Sequence, residues 1–241
     1  MRQSRLYLPL PLQPGQMVTL DDASAHYLRT VLRLKHDDAI TVFNGQGIDY
    51  GGMLLEVSRK QVRIAIGIPV ERNLESPLLV NLGLGIARGD RMDLAVQKAV
   101  ELGVQTITPI FTERCVVQLK GEKQQQRVEH WRKIIQHACE QCGRNRLPEL
   151  VDAQPLTGWV EHQPGLKIFL DPHAENRLNA LTPIHQTVSL LSGPEGGFTD
   201  QERSHAKAAG FIPVRLGARV LRAETAALAA LAAVQTLWGD F

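Results

Sequence analysis

The chain has little cysteine, few aromatic residues and almost no excess of charge of one sign. Three cysteines among 241 residues are an odd number and too few for a disulfide framework in a chain of this length. No apolar run approaches the roughly 18–20 residues that span a bilayer, and the first residues lack the apolar core of a signal peptide. These absences argue against a disulfide-stapled scaffold and a membrane partner, and we expect a cytoplasmic protein.

The balance of charge excludes a polycation that coats nucleic acid, because 27 Lys and Arg oppose 25 Asp and Glu. The balance is uneven along the chain. Residues 1–75 hold 9 basic and 8 acidic side chains, residues 76–150 hold 11 and 8, and residues 151–241 hold 7 and 9. Basic character is therefore concentrated in the middle third, and any nucleic-acid contact must depend on locally placed cations.

The hydrophobic pattern changes near residue 75. Before it, short alternating runs separated by Gly- and Pro-containing turns, with one helix at about Ala23–Leu34, predict a small barrel or sandwich. After it, apolar runs alternate with helical periods, which predicts an α/β fold with a largely parallel sheet and helices on both faces. Such sheets bind ligands outside the carboxyl ends of their strands. We therefore predict two domains, 1–74 and 75–241.

Three helix starts can be predicted from polar residues beside the helical periods. Thr199 and Glu202 have the spacing of a capping box. Asp90 is expected to cap the helix over 90–102, and Glu224 or Thr225 to cap the closing helix.

The stretch 190–199 is the most informative part of the sequence. A buried strand runs into Gly193, Gly196 and Gly197 and then directly into a capped helix. Glycine lets a ligand approach the backbone, and the amides of a helix start can hold an anion. Glu195 is the one ionisable group in this loop, although a tight strand-to-helix turn with a solvated Glu195 is the simpler interpretation.

A second polar cluster, at 216–226, also lies where a strand gives way to a helix. It contains Arg219, Arg222, Glu224 and Thr225 within seven residues. Capping of the closing helix would explain its carboxylate and hydroxyl without any catalytic role.

Two further motifs resemble a dinucleotide-binding loop and a metal or redox site, but their spacing argues against both interpretations. The loop Gly83–Gly89 has the pattern G-x-G-x-x-x-G, one residue longer than a dinucleotide fingerprint, so Arg88 and Arg91 are better candidates as phosphate contacts. Cys139 and Cys142 resemble a redox or metal pair, but no second C-x-x-C completes four ligands. We expect no bound metal.

Several arginines are candidates for an RNA surface. Arg29 and Arg33 are four residues apart on the predicted helix, opposite the apolar positions 28, 31 and 32, and Arg5 could extend this patch. Arg144 and Arg146 form a compact basic loop, for which a solvated helix end is an equally simple explanation.

Taken together, the loops 191–198 and 216–226 resemble the signature of the SPOUT-class RNA methyltransferases. Within that class the chain is similar to the RsmE family, and the resemblance extends over essentially the whole sequence. The supporting segments are Arg5-Leu6-Tyr7, residues 26–33, Glu101-Leu102-Gly103-Val104, Thr108-Pro109, Glu113-Arg114-Cys115 and residues 140–146.

This resemblance implies a PUA-like β-barrel for RNA over 1–74 and a SPOUT α/β domain with a deep trefoil knot over 75–241. It implies a homodimer that methylates N3 of a uridine in small-subunit ribosomal RNA, within the assembled or assembling small ribosomal subunit. It also implies that S-adenosylmethionine is held by Leu170, Gly193, Gly197, Leu216, Leu221 and Thr225. Ala218 and Ala223 depart from the Pro and Thr frequent in the family, which puts a hydroxyl role at position 223 in doubt.

The chemistry of uracil gives the polar residues of both loops possible roles. N3 becomes a nucleophile only when its proton leaves, and the resulting charge spreads onto the flanking carbonyl oxygens. We hypothesise that Arg222 stabilises this anion, while Glu195 or Glu224 orients it or assists proton removal.

The sequence also predicts which arginines contact RNA, and it allows two other functions. The expected contacts are Arg5, Arg29, Arg33, Arg88, Arg144 and Arg146. Two other functions would fit parts of the sequence: a non-catalytic RNA-binding ribosome-assembly factor, and an oxidoreductase that binds a dinucleotide at Gly83–Gly89.

Overall fold

The computed structural model describes residues 4–115, 121–183 and 185–241 of the chain. These residues form two compact units. The N-terminal unit contains the residues up to Glu75 together with Cys139–Leu147, and the C-terminal unit contains Ser76–Ala138 and Pro148–Phe241. The segment Cys139–Leu147 thus belongs with residues far earlier in sequence. The assignment of a PUA-like domain to 1–74 and a methyltransferase domain to 75–241 stays a prediction.

The N-terminal unit is built on a five-stranded sheet. Its strands are β1 (Arg5–Tyr7), β2 (Met17–Thr19), β3 (Ala39–Phe43), β4 (Ile48–Val57) and β5 (Val62–Glu71). They lie in the order β1-β3-β4-β5-β2, with β1 parallel to β3 and the other neighbours antiparallel. Strands β2 to β5 lie on the short runs that the sequence indicates, whereas β1 was not predicted.

The helix predicted over Ala23–Leu34 is shorter than expected. An α-helix, α1 (Asp22–His26), passes into one π-helical turn at Tyr27–Val31. A π turn holds more residues than an α turn, so the following side chains rotate away from the α-helical face. Leu28 is fully buried, whereas Val31 is 60% exposed, so the predicted common face of positions 28 and 31 is wrong.

A buried ion pair lies in the N-terminal unit. Arg5 donates from both Nη atoms to the Asp49 carboxylate, at 2.7 and 2.9 Å, and its guanidinium lies 4.7 Å from the centre of the Phe43 ring. The segment 139–147 packs into the same unit, since the Glu140 carboxylate accepts a hydrogen bond from the Tyr7 N–H (2.9 Å) and Arg144 pairs with Glu75 (Nε–Oε1, 3.1 Å).

The described residues of the C-terminal unit form a seven-stranded sheet. Its strands are β6 (Leu79–Gly85), β7 (Thr106–Phe111), β8 (Glu149–Leu150), β9 (Gln154–Pro155), β10 (Leu166–Leu170), β11 (Thr187–Ser192) and β12 (Ile212–Val214). They follow the order β12-β10-β11-β6-β7-β8, with β9 beside β7, and every pairing is parallel. This confirms the mixed α/β fold class. The knot implied by the resemblance stays a prediction.

The helices that follow Glu75 agree closely with the predicted periods. They are α2 (Asp90–Glu101), α3 (Glu122–Cys142), α4 (Leu156–Glu161), α5 (Asp200–Ala208) and α6 (Ala223–Trp238). Only α4 lacks a counterpart in the prediction, since six residues do not establish a helical period. In the part of the chain that the structure describes, every helix is too short or too polar to cross a bilayer.

Of the three predicted helix caps, one is confirmed and two are wrong. The capping box of α5 is confirmed: Thr199 Oγ1 accepts from the Glu202 N–H, and the Glu202 carboxylate accepts from the Thr199 N–H. The cap of α2 is Gly89, and Asp90 is its first helical residue. The cap of α6 is Arg222, without a side-chain hydrogen bond. Asp90 and Glu224 instead place negative charge in first turns, where the helix dipole favours it.

Four aromatic residues of the C-terminal unit, Trp159, Phe169, Phe198 and Phe211, belong to one buried cluster. Trp159 packs on Phe211 with ring centres 5.6 Å apart, and Phe169 meets Phe198 edge-on at 6.1 Å. Phe198 is the residue that ends the glycine loop 193–197. The end of the glycine loop is therefore anchored in the core of the α/β unit through Phe198.

Candidate active site

A cavity of about 520 Å³ opens at the carboxyl ends of β10, β11 and β12. This is the edge at which parallel sheets bind ligands, because the loops that follow neighbouring strands converge there. Three segments contribute most of its lining: 170–173, 192–198 and 214–223. The two loops singled out in the sequence are thus brought together, and a third loop, after β10, joins them.

The glycine loop is held by close backbone contacts. A Cβ on Gly196 would lie 2.9 Å from the Arg114 Cβ, and the Arg114 guanidinium donates to the Gly196 carbonyl (3.2 Å). A Cβ on Gly85, the last residue of β6, would lie 2.5 Å from the Pro194 nitrogen. These approaches require glycine, and they fix the loop against the ends of two neighbouring strands.

Most of the predicted cofactor residues line this cavity, namely Leu170, Gly193, Gly197, Leu216 and Leu221. Thr225 is exposed on the first turn of α6 and is not among the lining residues. The lining thus combines apolar side chains with glycine backbone, which suits a ligand with an apolar body and a few polar groups.

Two of the three predicted catalytic residues, Arg222 and Glu195, also line the cavity. Glu195 Oε1 accepts hydrogen bonds from the Arg91 Nη1 (3.2 Å) and the Arg88 backbone N–H (3.3 Å). Burial by itself raises the pKa of the Glu195 carboxyl. Hydrogen bonds from its own backbone, Arg88 and Arg91 outweigh burial and lower that pKa below the ordinary value.

Glu224, the third predicted catalytic residue, is not among the lining residues, although its chain neighbour Ala223 is. It is 8% exposed. Its Oε2 is buried and accepts no hydrogen bond from the residues that the structure describes. A buried carboxylate oxygen without a partner costs free energy, so it is a group for which a ligand donor would be favourable.

Asp171 and Arg203 also line the cavity, although neither was predicted as a site residue from the sequence. Arg203 donates to the Asp171 carboxylate (2.6 Å) and to the carbonyl of Phe198 (3.3 Å). It thereby links the loop after β10 to the end of the glycine loop. The position of Asp171 directly after a buried strand was the available signal, because the loops at carboxyl strand ends form such sites.

The predicted RNA-binding arginines differ sharply in exposure. Arg5 and Arg144 are buried in ion pairs within the N-terminal unit, which argues against RNA contacts by these two. Arg88 and Arg146 are exposed. The sequence alone could not predict which of these arginines are buried, because burial depends on residues that are distant in the chain.

Arg29 and Arg33 do not share a helix face. Arg29 lies in the π turn and donates to the Ser58 carbonyl (2.9 Å), whereas Arg33 lies beyond it with a positive φ of 56°. The predicted i,i+4 geometry is therefore wrong, for the reason that shortens the helix. Arg33 is nevertheless exposed.

The hypothesis that Gly83–Gly89 binds a dinucleotide does not fit the structure. A Cβ on Gly83 would lie 2.7–2.9 Å from ring carbons of Trp159, and one on Gly85 would overlap Pro194. These glycines make room for the protein's own core and loop, so the backbone there offers no space for a pyrophosphate.

The cysteine pair lies at the end of α3, and Cys139 is buried. Burial raises the pKa of the Cys139 thiol to about 12, which disfavours the thiolate needed for metal binding or redox exchange. Among the described residues, no group of three or more His, Cys, Asp or Glu side chains could hold a metal ion.

Comparisons with known families define the class of protein to which this fold and cavity belong. A family model for an RNA methyltransferase domain matches residues 74–235, and a model for an RNA methyltransferase PUA domain matches residues 20–67. The fold is therefore that of a PUA-containing RNA methyltransferase.

Individual relatives specify the family more closely. Ribosomal RNA small subunit methyltransferase E from Buchnera aphidicola (subsp. Schizaphis graminum) is 38% identical over 99% of this chain and 98% of its own length. The protein of the same name from Buchnera aphidicola (subsp. Acyrthosiphon pisum) is 35% identical over 98% of this chain and 94% of its own length. The chain belongs to this family, RsmE, which confirms the resemblance seen in the sequence.

Solved structures agree with this assignment. The ribosomal RNA small subunit methyltransferase E of Neisseria gonorrhoeae, bound to S-adenosyl methionine, is 38% identical and superimposes with a TM-score of 0.91 over 100% of both chains. A Legionella pneumophila protein in complex with the bound cofactor SAM is 40% identical, with a TM-score of 0.96 and the same coverage.

Proposed function

We propose that the protein transfers a methyl group from S-adenosylmethionine to N3 of a uridine in small-subunit ribosomal RNA. The observation that carries this proposal is the cavity, where five predicted cofactor residues and Arg222 meet at the carboxyl ends of the strands. Membership of the RsmE family supports both the cofactor and the class of RNA.

The cavity is suited to this cofactor. Its volume, about 520 Å³, lies within the roughly 300–1,000 Å³ typical of small-molecule sites. Leu170, Leu216 and Leu221 would hold the apolar parts, and the backbone of Gly193 and Gly197 would supply polar groups without side-chain obstruction. When bound, S-adenosylmethionine supplies an electrophilic methyl group. The chain's own residues must then bind uracil, remove its N3 proton and exclude water.

We assign to Arg222 the stabilisation of the uracil anion. It caps α6 and lines the cavity, and its side chain forms no ion pair within the described residues, so its charge is not neutralised by the protein. A guanidinium beside the carbonyl oxygens that flank N3 lowers the cost of losing the proton. Arg222 is therefore proposed as the electrophilic catalytic residue.

Of the two candidate carboxylates, we assign proton acceptance to Glu224, which lies outside the cavity lining but directly follows the lining residue Ala223. Glu195 is hydrogen-bonded to Arg91 and Arg88, and its pKa is lowered, which makes it a weak base. Glu224 instead has a buried oxygen that accepts no hydrogen bond from described residues. A carboxylate in such surroundings gains a partner when it accepts the N3 proton.

The remaining parts of the proposal concern the RNA and the assembly. The N-terminal PUA domain would hold RNA through Arg29 and Arg33, with Arg88 and Arg146 as further contacts, while Arg5 and Arg144 keep a structural role. We further propose a cytoplasmic homodimer with a trefoil knot at its cofactor loops, acting on the assembled or assembling small subunit. Thr225 would contribute to the cofactor site only at its edge, in keeping with its exposure.

A single-turnover assay tests the activity. Purified protein is incubated with labelled S-adenosylmethionine and either free small-subunit rRNA or subunits from a strain that lacks the gene, and the modified nucleotide is mapped. We expect one uridine labelled at N3. RNA binding without methyl transfer to either substrate would overturn the proposal in favour of a non-catalytic assembly factor.

Variants assign the roles. Arg222→Ala is expected to lower the single-turnover rate about a hundredfold and to leave the affinity for S-adenosylmethionine within about twofold. Glu224→Gln should lower the single-turnover rate, because a side-chain amide cannot accept the N3 proton as a carboxylate does. Wild-type rates in either variant would remove that residue from the mechanism.

A further inference from the structure

The residues that line the cavity carry more positive than negative charge. Six of its lining residues are arginines and two are carboxylates. Both carboxylates are already paired, Glu195 with Arg91 and Asp171 with Arg203. The remaining four lining arginines form no ion pair within the described part of the chain; they are Arg114, Arg215, Arg219 and Arg222. This local excess lies in the C-terminal unit, although residues 151–241 are net acidic.

This excess does not match the charge of S-adenosylmethionine. That molecule carries a sulfonium and an ammonium against one carboxylate, so its net charge is positive. The four unpaired guanidinium groups would repel it overall. A site with this charge attracts a polyanion, and phosphodiester groups are among the anions that arginine binds with two parallel hydrogen bonds.

Two cavity arginines, Arg91 and Arg203, are held by a carboxylate, and Arg91 is the more exposed of the two, since 24% of the Arg203 side chain is exposed. One nitrogen of Arg91, Nη1, donates to Glu195 Oε1 at 3.2 Å. Its side chain remains 45% exposed, against 23% for Glu195. Since a guanidinium has five N–H donors, most of them stay available while the Glu195 contact fixes its direction.

Glu195 is itself held in place by the backbone. The Arg88 N–H donates to the same oxygen at 3.3 Å. On the other side of the loop, Arg114 holds the Gly196 carbonyl at 3.2 Å, and Gly196 packs against the Arg114 backbone. These contacts hold the Glu195 carboxylate and its loop in place, so the carboxylate can orient the Arg91 guanidinium.

We propose that Arg91 binds a phosphodiester of the RNA beside the target nucleotide, and that Glu195 is a positioning residue for Arg91 and not the catalytic base. This inference rests on the proposed function, because it assumes that RNA enters the cavity. It extends that function by naming a phosphate-binding group at the cavity rim and the residue that orients it. The lowered pKa of Glu195 agrees with this role, since the carboxylate stays ionised and paired at neutral pH.

A binding experiment tests the first half. Wild-type protein and Arg91→Gln are titrated with small-subunit rRNA transcribed in vitro, at several salt concentrations. We expect Arg91→Gln to weaken RNA binding about tenfold and to reduce the slope of log K against log salt by about 0.7, the value for one single-strand phosphate. Arg91→Lys should recover part of the affinity. Calorimetric affinity for S-adenosylmethionine should be unchanged.

Arg132→Gln is the matched control, because Arg132 also forms a half-exposed ion pair with a glutamate, Glu129, but does not line the cavity. It should bind RNA as the wild type does. An unchanged salt slope in Arg91→Gln, while the wild type binds RNA and transfers methyl, would overturn this inference alone. Failure of the wild type to bind RNA or transfer methyl would instead overturn the proposed function.

A double-mutant cycle tests the positioning role of Glu195. If Glu195 acts through Arg91, Glu195→Gln weakens RNA binding in the wild type and has little further effect in Arg91→Gln. The shape of the pH–rate profile should also be the same in Glu195→Gln and the wild type. Additive losses of RNA affinity, or loss of an acidic limb of the rate profile in Glu195→Gln, would show that Glu195 acts independently and overturn the assignment.

Discussion

Replacement of Gly85 by alanine tests whether the approach of β6 to the glycine loop builds the cofactor site. The added Cβ would lie 2.5 Å from the Pro194 nitrogen, 2.6 Å from its Cδ and 2.7 Å from the Gly193 carbonyl carbon. Ordinary contacts begin at 3.4 Å. The two backbones must therefore separate by about 0.9 Å, the difference between 3.4 and 2.5 Å.

Overpacking of this kind costs about 1–3 kcal/mol, and if the displaced loop bears that cost, the Kd for S-adenosylmethionine rises about 5- to 140-fold. A displacement near 1 Å can also lower the rate of the chemical step by about a hundredfold. Isothermal titration calorimetry gives the first value, and single-turnover methylation gives the second.

Two other glycines provide controls. Gly83→Ala, two residues earlier in β6, would place its Cβ against the Trp159 ring at 2.7–2.9 Å; we expect it to lower stability with less effect on the Kd. Gly51→Ala, whose Cβ would meet nothing within 4 Å, should be neutral. A folded Gly85→Ala protein that binds the cofactor within twofold of the wild type would refute the reasoning.

Three further predictions concern other parts of the chain. Arg29→Ala/Arg33→Ala should weaken RNA binding and flatten its salt dependence by about 0.7 per lost phosphate contact, whereas an unchanged slope would mean that these side chains are merely solvated. Arg5→Gln should lower the free energy of unfolding in urea by about 3–5 kcal/mol, because it leaves the Asp49 carboxylate buried without its cation; a loss below about 1 kcal/mol would contradict this. Cys139, whose pKa burial raises to about 12, should resist iodoacetamide at neutral pH until the protein unfolds, and equal labelling rates in native and unfolded protein would disprove its protection.

The charge pattern shows where sequence and structure give different information. Counted along the chain, residues 151–241 are net acidic, and a basic site there is unexpected. In the folded unit, arginines from this segment gather at the carboxyl edge of the sheet with Arg91 and Arg114. Its acidic side chains include Glu202, whose carboxylate is used at the start of α5. Net charge therefore says little about the charge that a ligand meets.

Several features could be read from the sequence because they depend on local physics. Apolar periods located most of the strands and helices, and the Thr199–Glu202 spacing fixed a capping box, since such contacts join residues three positions apart. The two loops identified the family because their glycines and charged residues occur in an unusual combination. That assignment then led to the cofactor residues found around the cavity.

The tertiary structure decided what depends on neighbours distant in sequence. It buried Arg5 against Asp49 and left Arg33 exposed, although both are equally polar in sequence. It bound Glu195 to Arg91, 104 positions away, which changes a candidate base into a candidate positioning residue. An ionisable side chain takes its role from the charges and burial around it, and only the folded chain brings those surroundings together.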